Sequence, residues 1–390
     1  MSGVLEAANR QEAMNMLAKK GLLIISLVEE KQRAHHAPRD TAPKKKIKID
    51  ELVVFTRQLA TMVDSGITLV SALDILGQQV ENRYFRKVVL DVRDKVEAGS
   101  SLSDAMARYS GVFSELFVNM VKAGETSGML DEILDRVAEH TEKTSALQKK
   151  IKAALMYPAA VTAMALLITL LLLVKVIPVF KEIYSGFGAE LPKPTQVLIA
   201  ISDSLGNYLS FVIAGLILAG FLLNRYLKTE RGRFLFDKFL LNLPAFGILF
   251  KKVAVSKFTR TLSTLLRSGV PILSALEIVS KTSGNKVVED ALAKVRLNVR
   301  EGENVAEPLA KSKIFPVMVV RMVSVGEQSG ELEKMLSKIA DFYESQVDAA
   351  VSGLTSLIEP LIILFLGVVI GGIVICMFLP IFKITSILGV

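Results

Sequence analysis

The chain has 390 residues, a formal net charge of +8 and a mean hydropathy of +0.44. Its 51% hydrophobic content is high for a soluble domain, and its 22% charged content is too high for a chain held wholly in lipid. The single cysteine, Cys376, excludes an intramolecular disulfide, and the three histidines (His35, His36, His140) lack the convergent spacing of a metal site.

Residues 1–30 read as a small α/β piece, with strand-like GVLEAA, a capping-box start at Asn9-Arg10-Gln11-Glu12, a stop at Gly21 and a second strand in LLIISLVEE. No signal peptide is visible. Residues 31–48 are basic and proline-containing and read as a flexible linker. Residues 49–150 read as about six short helices. Phe55, Leu59, Met62 and Val63 form one apolar helical stripe, which Ser65-Gly66 terminates.

Most of the chain is then written a second time. FTRQLATMVDSGITLVSALDIL (Phe55–Leu76) returns as FTRTLSTLLRSGVPILSALEIV (Phe258–Val279), shifted by 203 residues with 11 of 22 positions identical. GETSG (Gly124–Gly128) returns as GEQSG (Gly326–Gly330), and Gly66 returns as Gly269. Residues 228–355 therefore form a second helical bundle like that of 49–150.

Three segments lack charge over membrane-spanning length: Ala153–Val174, Ser204–Leu223 and Pro360–Phe382. Each has about 20 residues or more, enough to cross roughly 30 Å of hydrocarbon as helix. They place spans at 153–178, 204–224 and 360–382, with a short loop at 179–203 and a tail at 383–390. Lys149, Lys150, Lys152, Arg225, Lys228, Arg231 and Arg233 flank one side of these spans. That asymmetry puts the N-terminus and both bundles in the cytoplasm, and the loop and C-terminus outside. It also accounts for the net charge through anionic lipid rather than nucleic acid. The fold class is thus all-α and polytopic, with two homologous cytoplasmic six-helix bundles, three transmembrane helices and the N-terminal α/β piece.

Gly124 and Gly326 read as helix ends of positive φ, in turns closed by Gly128 and Gly330, with Ser127 and Ser329 capping the following helices. The rival reading projects Glu125 and Glu327 from these turns onto a partner. Arg57 and Arg260 lie opposite their apolar stripes and should face solvent, as surface ion pairs or as partner contacts. Pro158 and Pro360 stand at the entry of the first and third spans, where proline suits a first helical turn. Glu359 sits at headgroup level or meets a partner charge. Gly367 and Gly371, Gly215 and Ala219, and Ala159 and Ala163 are small-residue pairs that let helices approach closely. No nucleophile–base set, paired carboxylate pattern, phosphate loop or dinucleotide fingerprint occurs, so the sequence suggests neither an enzyme nor a cofactor. The spans lack the central ionisable residues of a transporter, and the outer loop is too short for a folded sensor.

The duplicated FTRQL…SG…SAL and GExSG motifs, the proline-marked spans and the ending FLPIFKI resemble the GspF/PilC family of inner-membrane platform proteins over essentially the whole chain. FVNMVKAGETSG, EKTSALQKKIKAALMYP and VIPVFKEIYSGFGAELP resemble its type IV pilus branch more than its type II secretion branch. Members of the family carry a further strand-like segment ahead of GVLEAA, whereas only Met1-Ser2 precede Gly3 here, which implies a shortened or mis-started N-terminal piece. The resemblance implies docking of a hexameric assembly ATPase on the bundles and receipt of pilin subunits by the spans. It further implies contacts with other inner-membrane components and with lipid, and a homo-oligomer. The alternative it implies is a secretion-system platform serving pseudopilin assembly and protein secretion.

Overall fold

The computed structural model describes residues 47–185, 191–244 and 246–388. The predicted α/β piece and all but the end of the predicted linker lie outside these residues. Every element among the described residues is helical.

The first bundle runs α1 (Ile49–Asp64), α2 (Leu69–Gln79), α3 (Arg83–Glu97), α4 (Leu102–Ala107), α5 (Glu115–Ser127) and α6 (Leu130–Leu171). The starts are set by local side-chain chemistry. Thr68, Asn82, Ser101 and Ser114 each accept a backbone N–H from the first turn of the helix they precede. The chain continues through a π-helical turn (Leu172–Val176) into α7 (Ile177–Ser185). Next come α8 (Lys193–Leu227) and α9 (Glu230–Asn242). The second bundle is α10 (Phe246–Arg267), α11 (Ile272–Thr282), α12 (Lys286–Arg300), α13 (Ala306–Lys311), α14 (Val317–Ser329) and α15 (Leu332–Leu388).

The two stripes read from the sequence are the two core faces. Phe55 and Leu59 are buried in α1, and Phe258, Leu262 and Leu265 in α10. The cores of both bundles form one contiguous apolar cluster. Between the bundles, Lys281 pairs with Glu115 at 2.9 Å, Lys150 pairs with Asp348 at 2.7 Å, and Arg136 donates to the carbonyl of Arg267.

Two helical stretches, Leu130–Ile183 and Leu332–Pro380, are long and apolar enough to cross a membrane. At about 1.5 Å per residue, α6 and α15 each exceed 60 Å, so one helix serves both bundle and span. In α8 the apolar run is shorter, Ile213–Leu227. It follows polar residues such as Ser204 and Asn207, so a middle span remains a proposal. The predicted outer loop is largely helical, being occupied by α7 and the start of α8. At this end Ile177, Ile199 and Ile373 pack together, and Thr195 donates to the Cys376 carbonyl at 2.6 Å. Ser202 donates at 2.5 Å to the carbonyl of Leu173, which lies in the π turn.

The structure corrects the prolines. Pro158 lies inside α6 and Pro360 inside α15, not in a first turn. Each removes one helical N–H, but apolar helices tolerate this where neighbouring groups re-satisfy the freed carbonyl.

Candidate functional site

Glu125 and Glu327 do not project from turns. The helices α5 and α14 run through GETS and GEQS and end at Gly128 and Gly330, whose φ values are 72° and 73°. Gly124 and Gly326 are helical instead, and their role is close approach. A Cβ on Gly124 would lie 2.9 Å from Ile133 Cβ, and one on Gly326 would lie 2.9 Å from Leu332 Cα. The glutamates between these glycines point inward, to the starts of the short helices α4 and α13. Glu125 accepts the N–H groups of Leu102 and Ser103 and, at 2.5 Å, the Ser103 hydroxyl. Glu327 accepts the N–H groups of Val305 at 2.5 Å and Ala306 at 2.9 Å. A six-residue helix exposes several unsatisfied donors at its start, and a carboxylate satisfies them while meeting the positive end of the helix dipole. Ser127 does not cap α6. Its hydroxyl donates back to Gly124 at 3.3 Å, while Ser329 accepts the N–H of Glu331 at 3.4 Å.

The arginines are also engaged inside the chain. The helix wheel assigned the second face of α1 and α10 to solvent, but the long helices α6 and α15 cover it. Arg57 grips Glu142 through two bonds of 2.6 and 2.8 Å and reaches Asp135 at 2.5 Å. Arg260 bonds Glu344 at 2.8 Å and Asp341 at 2.5 Å. The Arg57 side chain is 37% exposed and that of Arg260 only 10%. Glu142 holds the Arg57 pKa above its ordinary value, with Asp135 adding to it, and is itself lowered in return. Burial pulls the Arg260 pKa down, but Glu344 and Asp341 more than offset that. Glu142 and Glu344 are counterparts at the 202-residue shift, whereas the second carboxylates, Asp135 and Asp341, are not.

Each arginine fork thus ties the first helix of its bundle to the helix that enters the membrane. Lys149 adds a third tie on the first side, pairing at 2.8 Å with Asp50 at the start of α1. A repeat-related pair went unread in the sequence: Arg93 bonds Asp74, and Arg296 bonds Glu277. Its signal was an arginine and an acid recurring together at the 203-residue shift. Glu359 is exposed and forms no ion pair among the described residues. No group of three metal-ligating side chains occurs among them. What the arrangement does is clasp the ends of short helices and clamp the long helices to their bundles.

The family model of type II secretion system (T2SS) protein F matches residues 55–178 and 258–380, the two halves described above. The chain belongs to this family. Within the protein F family it is 46% identical over 336 residues to "Type IV pilus assembly protein PilC" of Myxococcus xanthus, covering 86% of this chain and 81% of that protein. It is 42% identical to the protein of the same name from Thermus thermophilus, covering 100% and 96%. To "Type II secretion system protein F" of Aeromonas hydrophila it is 31% identical, covering 98% and 99%.

Proposed function

We propose that this protein is the inner-membrane platform of a type IV pilus machine. The carrying observation is the gradient of likeness, with full-length identity higher to the pilus-assembly relatives than to the secretion relative. In this reading both bundles face the cytoplasm and dock the hexameric assembly ATPase. The membrane helices, including α8 as a middle span, take pilin subunits from the bilayer. Continuous helices favour such coupling, because a displacement of a bundle moves the span that shares its backbone. The small-residue positions Gly215, Gly367 and Gly371 face open space within the chain, which favours helix contacts between copies in a homo-oligomer. No catalytic step is assigned to the chain.

The test is a deletion strain scored for surface pili and for secretion of a folded exoprotein. Lost pili with normal secretion, restored by the wild type, is the expected result. Lost secretion with intact pili would move the protein to secretion, and no defect in either would sink the platform reading. A flexible glycine-rich break at Lys149 is expected to abolish piliation in a stably expressed protein. Normal pili from that variant would argue against rigid transmission.

A further inference from the structure

Among the described residues the helix α9 has no counterpart in the first bundle, and it is built for two environments. One face belongs to the protein. Asp237 accepts the N–H of Lys286 at the start of α12 at 2.6 Å, and Leu241 is buried. In the first turn, on the same side as the apolar residues, Gly232 abuts the end of α8 so closely that a Cβ there would lie 2.1 Å from the Tyr226 carbonyl oxygen. Thr229 fixes the corner, accepting the Gly232 N–H at 3.1 Å and donating to that same carbonyl at 2.7 Å. The helix is thus held in a fixed direction where α8 ends.

The other face is apolar and uncovered. Leu235 is 55% and Phe239 60% exposed, with Phe236 beside them. At 3.6 residues per turn these three occupy an arc of about 100°. Exposed Arg231 and Lys238 border one edge of the arc, and Arg233 borders the other. Arg225 and Lys228 lie just before, at the end of α8. An apolar arc with cations along both edges is the pattern of a helix lying in a membrane interface.

We propose that α9 lies in the plane of the membrane surface, with Leu235, Phe236 and Phe239 among acyl chains and Arg231, Arg233 and Lys238 on anionic lipid headgroups. Two observations select lipid over a protein occupant. The arc follows within a few residues of the exposed apolar run of α8, where Leu216, Ile217 and Phe221 are uncovered. The edge charges are also complementary to an anionic leaflet. The second bundle would then rest on the bilayer through a helix that has no counterpart among the described residues of the first. The proposal rests on α8 entering the bilayer, but not on pilus assembly.

The test uses the full-length protein with Cys376→Ser and single cysteines carrying a nitroxide. The labelled variants are Leu235→Cys, Phe239→Cys, Lys238→Cys, Ile217→Cys and Glu307→Cys. Each is reconstituted in phosphatidylcholine vesicles with or without phosphatidylglycerol. Collisions with oxygen and with a water-soluble nickel chelate are measured. All replaced side chains other than Cys376 are exposed, and retained helical circular dichroism checks the fold. Labels at 235 and 239 should lose contact with the chelate as 217 does, 238 should read at headgroup level, and 307 should stay aqueous. Aqueous readings at 235 and 239 beside a lipid reading at 217 would overturn the proposal alone. An aqueous 217 would overturn the span as well. In phosphatidylglycerol vesicles, Arg231→Gln/Arg233→Gln/Lys238→Gln should make the 239 label shallower. No change would overturn the assignment to anionic headgroups.

Discussion

The two bundles use the same ties in different surroundings. In the first, the Arg57 fork sits on an outer flank. In the second, the Arg260 fork lies against the first bundle, and its charge reaches Glu139 and His140 of α6. Duplication copied the arginine and its main glutamate, and assembly of the halves then buried one copy and left the other wet. Identical chemistry therefore predicts unequal energetics. Asp341 and Glu344 stay 54% and 31% exposed, so the second fork is only half buried, but its enclosed guanidinium is less screened than that of Arg57, whose exposed pairs contribute about 1 kcal/mol or less. Arg260→Ala should lower the unfolding midpoint of the detergent-solubilised protein more than Arg57→Ala. Equal shifts would mean that the two forks share one environment.

The glutamate clasps differ by one hydroxyl. Ser103 of the first copy stands where the second has Ala306, so Glu125 accepts three bonds and Glu327 two. Charge-assisted bonds contribute about 1.5–3 kcal/mol, and freed N–H groups at a helix start add to the loss. Glu125→Ala should cost about 3 kcal/mol and Glu327→Ala about 2 kcal/mol. Amide hydrogen exchange reads this locally. Leu102 and Ser103 should lose more protection in the first variant than Val305 and Ala306 in the second. Ser103→Ala should bring the copies level.

The glycine pair sharpens the comparison at smaller magnitude. Alanine gains about 1 kcal/mol over glycine in a helix, but overpacking costs about 1–3 kcal/mol. At Gly326 the obstacle is the Leu332 backbone, which has no rotamer to change. At Gly124 it is the Cβ of β-branched Ile133, which likewise moves only with its backbone. Gly326→Ala and Gly124→Ala should each destabilise by about 1–2 kcal/mol. A thermal melt in which either variant matches the wild type would contradict this.

The architecture was open to sequence reading because it rests on periodicity and repetition. Apolar stripes, glycine stops and charge-free runs are local signals, and they put Phe55 and Phe258 in cores and Gly66, Gly128, Gly269 and Gly330 at turns. Arg57 keeps a 37% exposed side chain in its ion pairs while Arg260 is enclosed, a difference that escapes a helix wheel because it knows one helix and not what crosses it. Facing away from the first stripe says nothing of whether α6 or α15 covers that side. The glutamates were misread by one turn of helix. Four of five residues in GETSG suit a loop, and only the close approach of Ile133 requires the helix to continue through Gly124. The role of α9 was hidden because its exposed apolar arc resembles a core face until the rest of the bundle is in place.

The smallest predicted difference separates the copies by pH. His140 occupies the position of Phe342 in the second copy. Its Nδ1 is enclosed without a hydrogen-bond partner. Desolvation, and then the charge of Arg260, lower its pKa to about 4; Lys143 lowers it further and Glu139 opposes the shift. The folded protein therefore holds His140 neutral, while the unfolded chain takes up a proton near pH 6.5. Stability from this residue is fully present above that pH and is lost as pH falls towards about 4. One pKa unit corresponds to about 1.4 kcal/mol, and the partly exposed ring reduces the effect to about 1 kcal/mol by pH 5. The lowered pKa values of Glu139 and Glu142 act at more acidic pH, below their ordinary carboxylate range. Between pH 6.5 and 5 the loss is thus assigned to His140. His140→Phe should flatten the unfolding midpoint across that interval and leave the steeper fall below it. An unchanged slope would mean that the ring is hydrated and that its neighbour Arg260 is less enclosed than its geometry indicates.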